Sequence, residues 1–211
     1  MMKKSLALVV SFAASGMAIA KEPHSEEKQA EWDTKVRSAV SNIEAAVDPI
    51  QKRRVLVLSK TAGFYHSSIE TAKTTLREMA KQTGAFEVEF HDQPEFYTAE
   101  NLKGFDVLVF NNTTYTQDYL NVEQRGAVLE FIAKGGGFVG IHAASDCGTS
   151  ARRAKSEWPE VTEMIGGAFD GHPWTKDGTY SVKNEDPQHK LLDPLSGAGF
   201  EINDELYKFK D

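Results

Sequence analysis

The chain has 211 residues, with 24 Lys or Arg against 31 Asp or Glu, for a formal charge of −7. That acidic balance argues against nonspecific binding to nucleic acid or anionic lipid and suits a small neutral ligand. A single cysteine, Cys147, excludes an internal disulfide framework and a cysteine-built zinc cluster.

Residues 1–20 have the pattern of an export leader. Lys3 and Lys4 precede the apolar run Leu6–Ala14, and Ala18-Ile19-Ala20 follows as an A-x-A cleavage site. The run is far short of the roughly 20 apolar residues that cross a bilayer, and no later segment approaches that length. The expectation is a periplasmic or secreted protein cleaved after Ala20, with no membrane partner. Loss of the two leader lysines moves the formal charge from −7 to −9. What remains suits one α/β domain with a short appendage.

That appendage is an N-terminal helical arm, residues 21–52. Within it Trp32, Val36, Val40, Ile43 and Val47 recur at spacings of three and four, which predicts an amphipathic helix over 25–47 ended by Asp48-Pro49. From Arg53 the texture becomes alternating strand and helix. Val55–Ser59 is a continuous apolar run of the kind buried on both faces. Ser68–Gln82 has helical periodicity through Ile69, Ala72, Leu76, Met79 and Ala80, with Gly84 just beyond it. Strands are predicted at Phe86–Phe90, Val107–Phe110 and Phe138–Ile141, with a helix at Val122–Ala133 between the last two. Weaker signals place a short helix at Trp158–Ile165 and strands at Thr179–Lys183 and Phe200–Ile202. The order predicts an α/β fold whose mainly parallel sheet carries helices on both faces.

In such sheets the ligand crevice lies beyond the carboxyl ends of the strands. That rule selects residues 60–67, 111–116 and 142–148. Gly135-Gly136-Gly137 is read as a helix stop, because a phosphate cradle runs strand, glycines, helix, and here the order is reversed. His142 ends a core strand with small residues after it and Asp146 four positions on, a place for acid–base chemistry or a metal. A hydrogen-bonded core histidine is the plainer alternative. His66 stands just before a helix N-terminus, where partial positive charge favours polarised oxygens. His172 lies in a glycine-rich loop, and Asp204-Glu205 can bring carboxylates near. Tyr65, Asn112, Trp174 and Glu205 are the candidate substrate contacts. The separation of His66, His142 and His172 matches no compact metal motif, so a divalent ion such as zinc would need a site assembled from distant segments. Cys147 has no nucleophile elbow around it and is read as idle.

The segments "KTAGFYHSSIE", "FDVLVFNNTT", "EQRGAVLEFIAKGGGFVGIHAASD", "IGGAFDGHP", "EDPQHKLLDPL" and "INDELYKF" together resemble the ThuA-like (trehalose utilisation) family over residues 53–209. The resemblance implies a flavodoxin-like sheet of the class I glutamine amidotransferase type. The amidotransferases carry G-I-C-x-G at the analogous strand end, whereas "GIHAAS" puts His142 where their nucleophile stands. Glutamine hydrolysis is therefore not expected. By the same resemblance His66, His142, Asp146 and His172 fall on the family's motif positions, and the ligand class is a disaccharide or keto-sugar. One departure is clear: relatives continue past the D-E-x-Y element into further strands, whereas this sequence stops at Asp211. The expectation is a domain over 53–211 lacking those strands, with an open sheet edge that favours association into a homo-oligomer. Two functions remain open from sequence: a sugar-processing enzyme, or a non-catalytic carbohydrate-binding or scaffold module whose Phe64, Tyr65, Tyr115 and Trp174 stack on sugar faces.

Overall fold

The structure, a computed structural model, describes residues 8–9, 22–45, 51–147 and 157–210. The expected cleavage site, the Asp48-Pro49 helix stop and the last residue of the 142–148 crevice segment lie outside the described residues. A two-residue strand, β1 (Leu8–Val9), is followed by α1 (Glu26–Val40), β2 (Arg53–Leu58), α2 (Ser68–Thr83) and β3 (Phe86–Phe90). Next come a single-turn α3 (Ala99–Leu102), β4 (Val107–Asn111), a single-turn α4 (Thr116–Tyr119), α5 (Val122–Ala133) and β5 (Gly137–Ile141). The chain closes with α6 (Pro159–Ile165), β6 (Ala168–Phe169), β7 (Tyr180–Val182), β8 (Phe200–Ile202) and β9 (Phe209–Lys210).

The main sheet is parallel throughout, in the order β1-β5-β4-β2-β3. From β2 the chain steps outward to β3, then returns past β2 to β4 and continues to β5. The connections therefore change direction between the adjacent strands β2 and β4, and a crevice opens beyond their carboxyl ends. Strand periodicity divides the core. Leu56, Leu58, Leu108 and Phe110 face one side, where Leu102, Val128, Trp158 and Val161 cover them; Val55, Val57 and Val109 face the other, against Leu76. The second face carries a further layer, because α1 packs on α2. Asp33 Oδ1 accepts from Thr74 Oγ1 at 2.8 Å, and Arg37 pairs with Glu78 at 3.1 Å.

Helix ends follow local chemistry. Asn121 and Gln124 form a reciprocal capping box at the start of α5. Gly84 and Gly166 end α2 and α6 in left-handed conformations, at φ +63° and +90°. Helix α1 is shorter than the periodicity of its apolar face. It stops at Val40, and the Ser41 hydroxyl donates to the Ser38 carbonyl, a side-chain bond that competes with helix continuation. Val36 and Val40 are buried and Ile43 is half-buried, so the apolar stripe outlasts the helix. No described helix is long and apolar enough to cross a membrane.

The C-terminal part does not extend the parallel sheet. Instead β6 pairs with β9 and β7 with β8, both antiparallel, and Trp174 bridges Leu206. These pairings fold residues 203–210 back over the carboxyl end of β5, which matters for the site.

Candidate functional site

Three strand ends and one returning segment supply the cluster. After β2, residues 60–67 are fastened to the loop after β4. Ala62 and Gly63 N–H groups donate to the Thr114 carbonyl at 3.0 and 3.2 Å, and the Thr61 hydroxyl reaches the same oxygen. Gly63 permits this approach, since a Cβ there would lie 2.6 Å from Thr114 Cγ2 and 2.8 Å from the Tyr115 ring. Gly63→Ala is therefore expected to destabilise the fold by about 1–3 kcal/mol, as overpacking does. It should also displace His66, which thermal melts and the histidine NMR signals would register.

His66 lies mostly out of solvent, its ring edge-on to Phe64 and to His142, each at a centroid distance of 4.8 Å. Its Nδ1 is buried without a hydrogen-bond partner. Burial, then the neighbouring His142, pushes its pKa down to about 3, so the ring is neutral at ordinary pH. Although Ser67 occupies the N-cap position of α2, it makes no side-chain capping bond there.

Asn111, the last residue of β4, and Asn112 just beyond it are buried. Asn111 Nδ2 donates to Ser59 Oγ and to the Ile69 carbonyl, both at 3.1 Å. Asn112 has φ +56°; its Nδ2 donates to Asn111 Oδ1 at 2.8 Å, while its own Oδ1 has no partner. Its backbone N–H donates to the Ile141 carbonyl, which tethers it beside the end of β5.

His142 follows at once, at φ +47°. A β-carbon in that region is strained by about 1–2 kcal/mol, and such strain recurs at functional turns. The abrupt turn lifts the imidazole off the strand end. Its Nε2 lies 3.1 Å from Glu205 Oε1 and 3.0 Å from the Tyr207 hydroxyl. His172 stands on the outer side, its Nδ1 3.9 Å from Glu205 Oε2. The hydrogen bond with His142 holds Glu205 below the usual carboxylate range despite partial burial. Tyr207 is pushed up by burial and then by Glu205 and Asp146, so its phenol stays protonated. The rings of Phe64, His66, His142, Tyr207, Phe169 and His172 form a continuous series of edge-on, tilted and stacked contacts along one wall.

Asp146 ends the turn after His142. Desolvation raises its carboxyl to about 6, close to working pH. Cys147 is buried and donates its thiol to the Ala144 carbonyl at 2.8 Å, and burial pushes the thiol up. A thiolate is thus disfavoured on this loop.

The structure brings His66, His142 and Glu205 into one cluster, with one ligand atom from each lying within 4.8 Å of the others. The metal-capable group among the described residues thus takes Glu205 as its third member, in place of the His172 that was the third candidate for a site assembled from distant segments. The reason is positional: His172 is 45% exposed in its side chain and lies beyond Glu205, whose carboxylate stands between it and His142. Trp174 is 46% exposed beside the segment that carries Glu205. Burial, then the charges of Glu70 and Asp92, pushes the Tyr65 hydroxyl up to about 12. Tyr207 was not singled out from sequence. Its signal was the spacing Glu205-x-Tyr207, which puts both side chains on one face of an extended segment whose middle residue, Leu206, pairs with Trp174.

A separate cavity of about 450 Å³ lies at the opposite, amino-terminal ends of β2, β4 and β5, among Leu102, Phe105, Phe131 and Gly135–Gly137. The three glycine N–H groups already donate to the carbonyls of Ile132, Phe131 and Asp106, so they form no anion cradle.

A parallel α/β sheet flanked by helices, with a histidine at the strained turn after β5, defines the class of fold. Within that class, the model of the ThuA (trehalose utilisation) family matches residues 54–211, and the chain belongs to this family. A solved structure of a putative ThuA-like protein from Bacteroides uniformis is similar, with 22% identity and a TM-score of 0.58, over 77% of this chain. This chain spans 63% of that protein's length. No curated protein matches the chain.

Proposed function

We propose that the protein acts on a sugar or glycoside, a disaccharide or keto-sugar, at the crevice centred on His142. The observation that carries this reading is the contact of His142 Nε2 with both Glu205 Oε1 and the Tyr207 hydroxyl. When that nitrogen carries a proton it donates to Glu205, and when it is bare it accepts from the Tyr207 hydroxyl, so each state of a group that takes and returns a proton has a partner. The neutral His66, with Nδ1 unpartnered, supplies a polar contact for a substrate oxygen. Asp146 offers a second acid or base whose pKa of about 6 suits turnover near neutrality. The leader pattern Lys3-Lys4, Leu6–Ala14, Ala18-Ile19-Ala20 supports an exported site of action, and cleavage after Ala20 would take β1 with the leader and leave β5 at the sheet edge.

The test is conversion of 3-keto and unmodified disaccharides by the full chain, beside His142→Ala. Turnover lost in the variant supports the assignment; unchanged turnover removes His142 from the chemistry. A second reading, a carbohydrate-binding module, is favoured by Trp174, an exposed aromatic face beside the segment that carries Glu205. Saturable sugar binding without conversion would select it.

A further inference from the structure

We propose that His66, His142 and Glu205 bind a single divalent transition-metal ion of the zinc type, with Glu205 as the anionic ligand and a coordination position left for substrate or water. This deepens the functional reading above and rests on it for the ion's use, not for its binding; with an ion on Nε2, His142 serves as a ligand, and Asp146 is the group left for proton transfer.

The three residues arrive from the loop after β2, the turn after β5 and the segment before β9, so the fold alone brings them together. Their candidate ligand atoms lie within 4.8 Å of one another, and His142 Nε2 is already 3.1 Å from Glu205 Oε1. Ligands about 2.0–2.2 Å from a tetrahedral ion stand about 3.3–3.6 Å apart. The His142–Glu205 pair stands a few tenths of an ångström inside that separation, and side-chain shifts of about 1 Å bring the set to it.

Two imidazoles and one carboxylate form a donor set suited to zinc and its first-row neighbours, whereas magnesium and calcium prefer oxygen. Three protein ligands leave the fourth position of a catalytic rather than a structural site.

The surroundings fit as well. His66 has a buried ring nitrogen, Nδ1, with no partner within the protein. The outer oxygen of Glu205 faces His172 at 3.9 Å, and Tyr207 packs against His142 at a centroid distance of 4.3 Å. Those neighbours orient first-rank ligands without being ligands themselves.

Metal-stripped full chain titrated with zinc chloride in a calorimeter is expected to bind one ion per chain. Cobalt(II) in its place should give the visible absorption of a four-coordinate ion. His66→Ala, His142→Ala and Glu205→Gln should each weaken zinc by about tenfold or more, and His172→Ala by less than any of them. Melting curves without metal identify any variant that fails to fold; for such a position His66→Gln or His142→Asn takes its place. Folded wild-type protein that binds no zinc, or zinc affinity untouched by Glu205→Gln, overturns the site. The functional reading fails separately: zinc bound with no sugar converted removes that reading and leaves the site standing. Turnover in a chelator by protein that binds no zinc does the reverse.

Discussion

Replacing His142 with glycine is expected to cut the proposed sugar turnover sharply yet leave the fold about 1 kcal/mol more stable than the alanine variant does. Both changes delete the imidazole, so both lose its contacts with Glu205 and Tyr207. They differ in the backbone, because alanine keeps a β-carbon at φ +47° and glycine does not. The loss of turnover should be about 10²–10⁴-fold in each, the usual contribution of a positioned acid or base. Denaturant melts of the two variants separate strain from chemistry. Equal stabilities would show that the turn stores no strain at this residue.

The second large effect concerns acid stability in metal-free protein. His66 has a pKa of about 3 when folded and an ordinary value near 6.5 when unfolded. Between those values the unfolded chain holds a proton that the folded chain refuses, so stability rises with pH. His66 therefore contributes a loss of stability as pH falls from 6.5 towards 3, at about 1.4 kcal/mol per pH unit. Asp146 has the opposite sign. Its folded value of about 6 exceeds its unfolded value of 3.8, so protonation between them favours the folded state. Its partial exposure shrinks that contribution. The clean measurement is the difference between wild type and His66→Gln, in which all other groups cancel. That difference should change by about 3 kcal/mol between pH 7 and pH 4, the wild type losing relative to the variant. A constant difference across that range would show that His66 is not held neutral by its surroundings.

The elements that were legible in the sequence are those whose burial is set by a regular period. Phe86–Phe90 and Val122–Ala133 were placed to the residue, and β2, β4 and β5 to within a residue or two. A parallel sheet buried on both faces leaves an apolar signature that short strands lack. The pairs β6·β9 and β7·β8 involve two or three residues each, too few for any period, and the first pair escaped notice. Site legibility followed the same line. His142 was conspicuous because it interrupts a core strand, and His66 because it precedes a long helix. Glu205 was visible only as one carboxylate of the Asp204-Glu205 pair, and Tyr207 was not singled out at all. Their roles depend on the return of the chain through β9, which no local pattern encodes.

The wall of rings from Phe64 to His172 has a consequence for ligand capture. Each of these side chains has only two torsions, and each is already braced by the next ring in the series. A surface of long flexible side chains would lose about 0.5–1.5 kcal/mol of freedom for every one immobilised on binding. Here that freedom was largely surrendered during folding, so any ligand settling against the wall meets a surface that is already set.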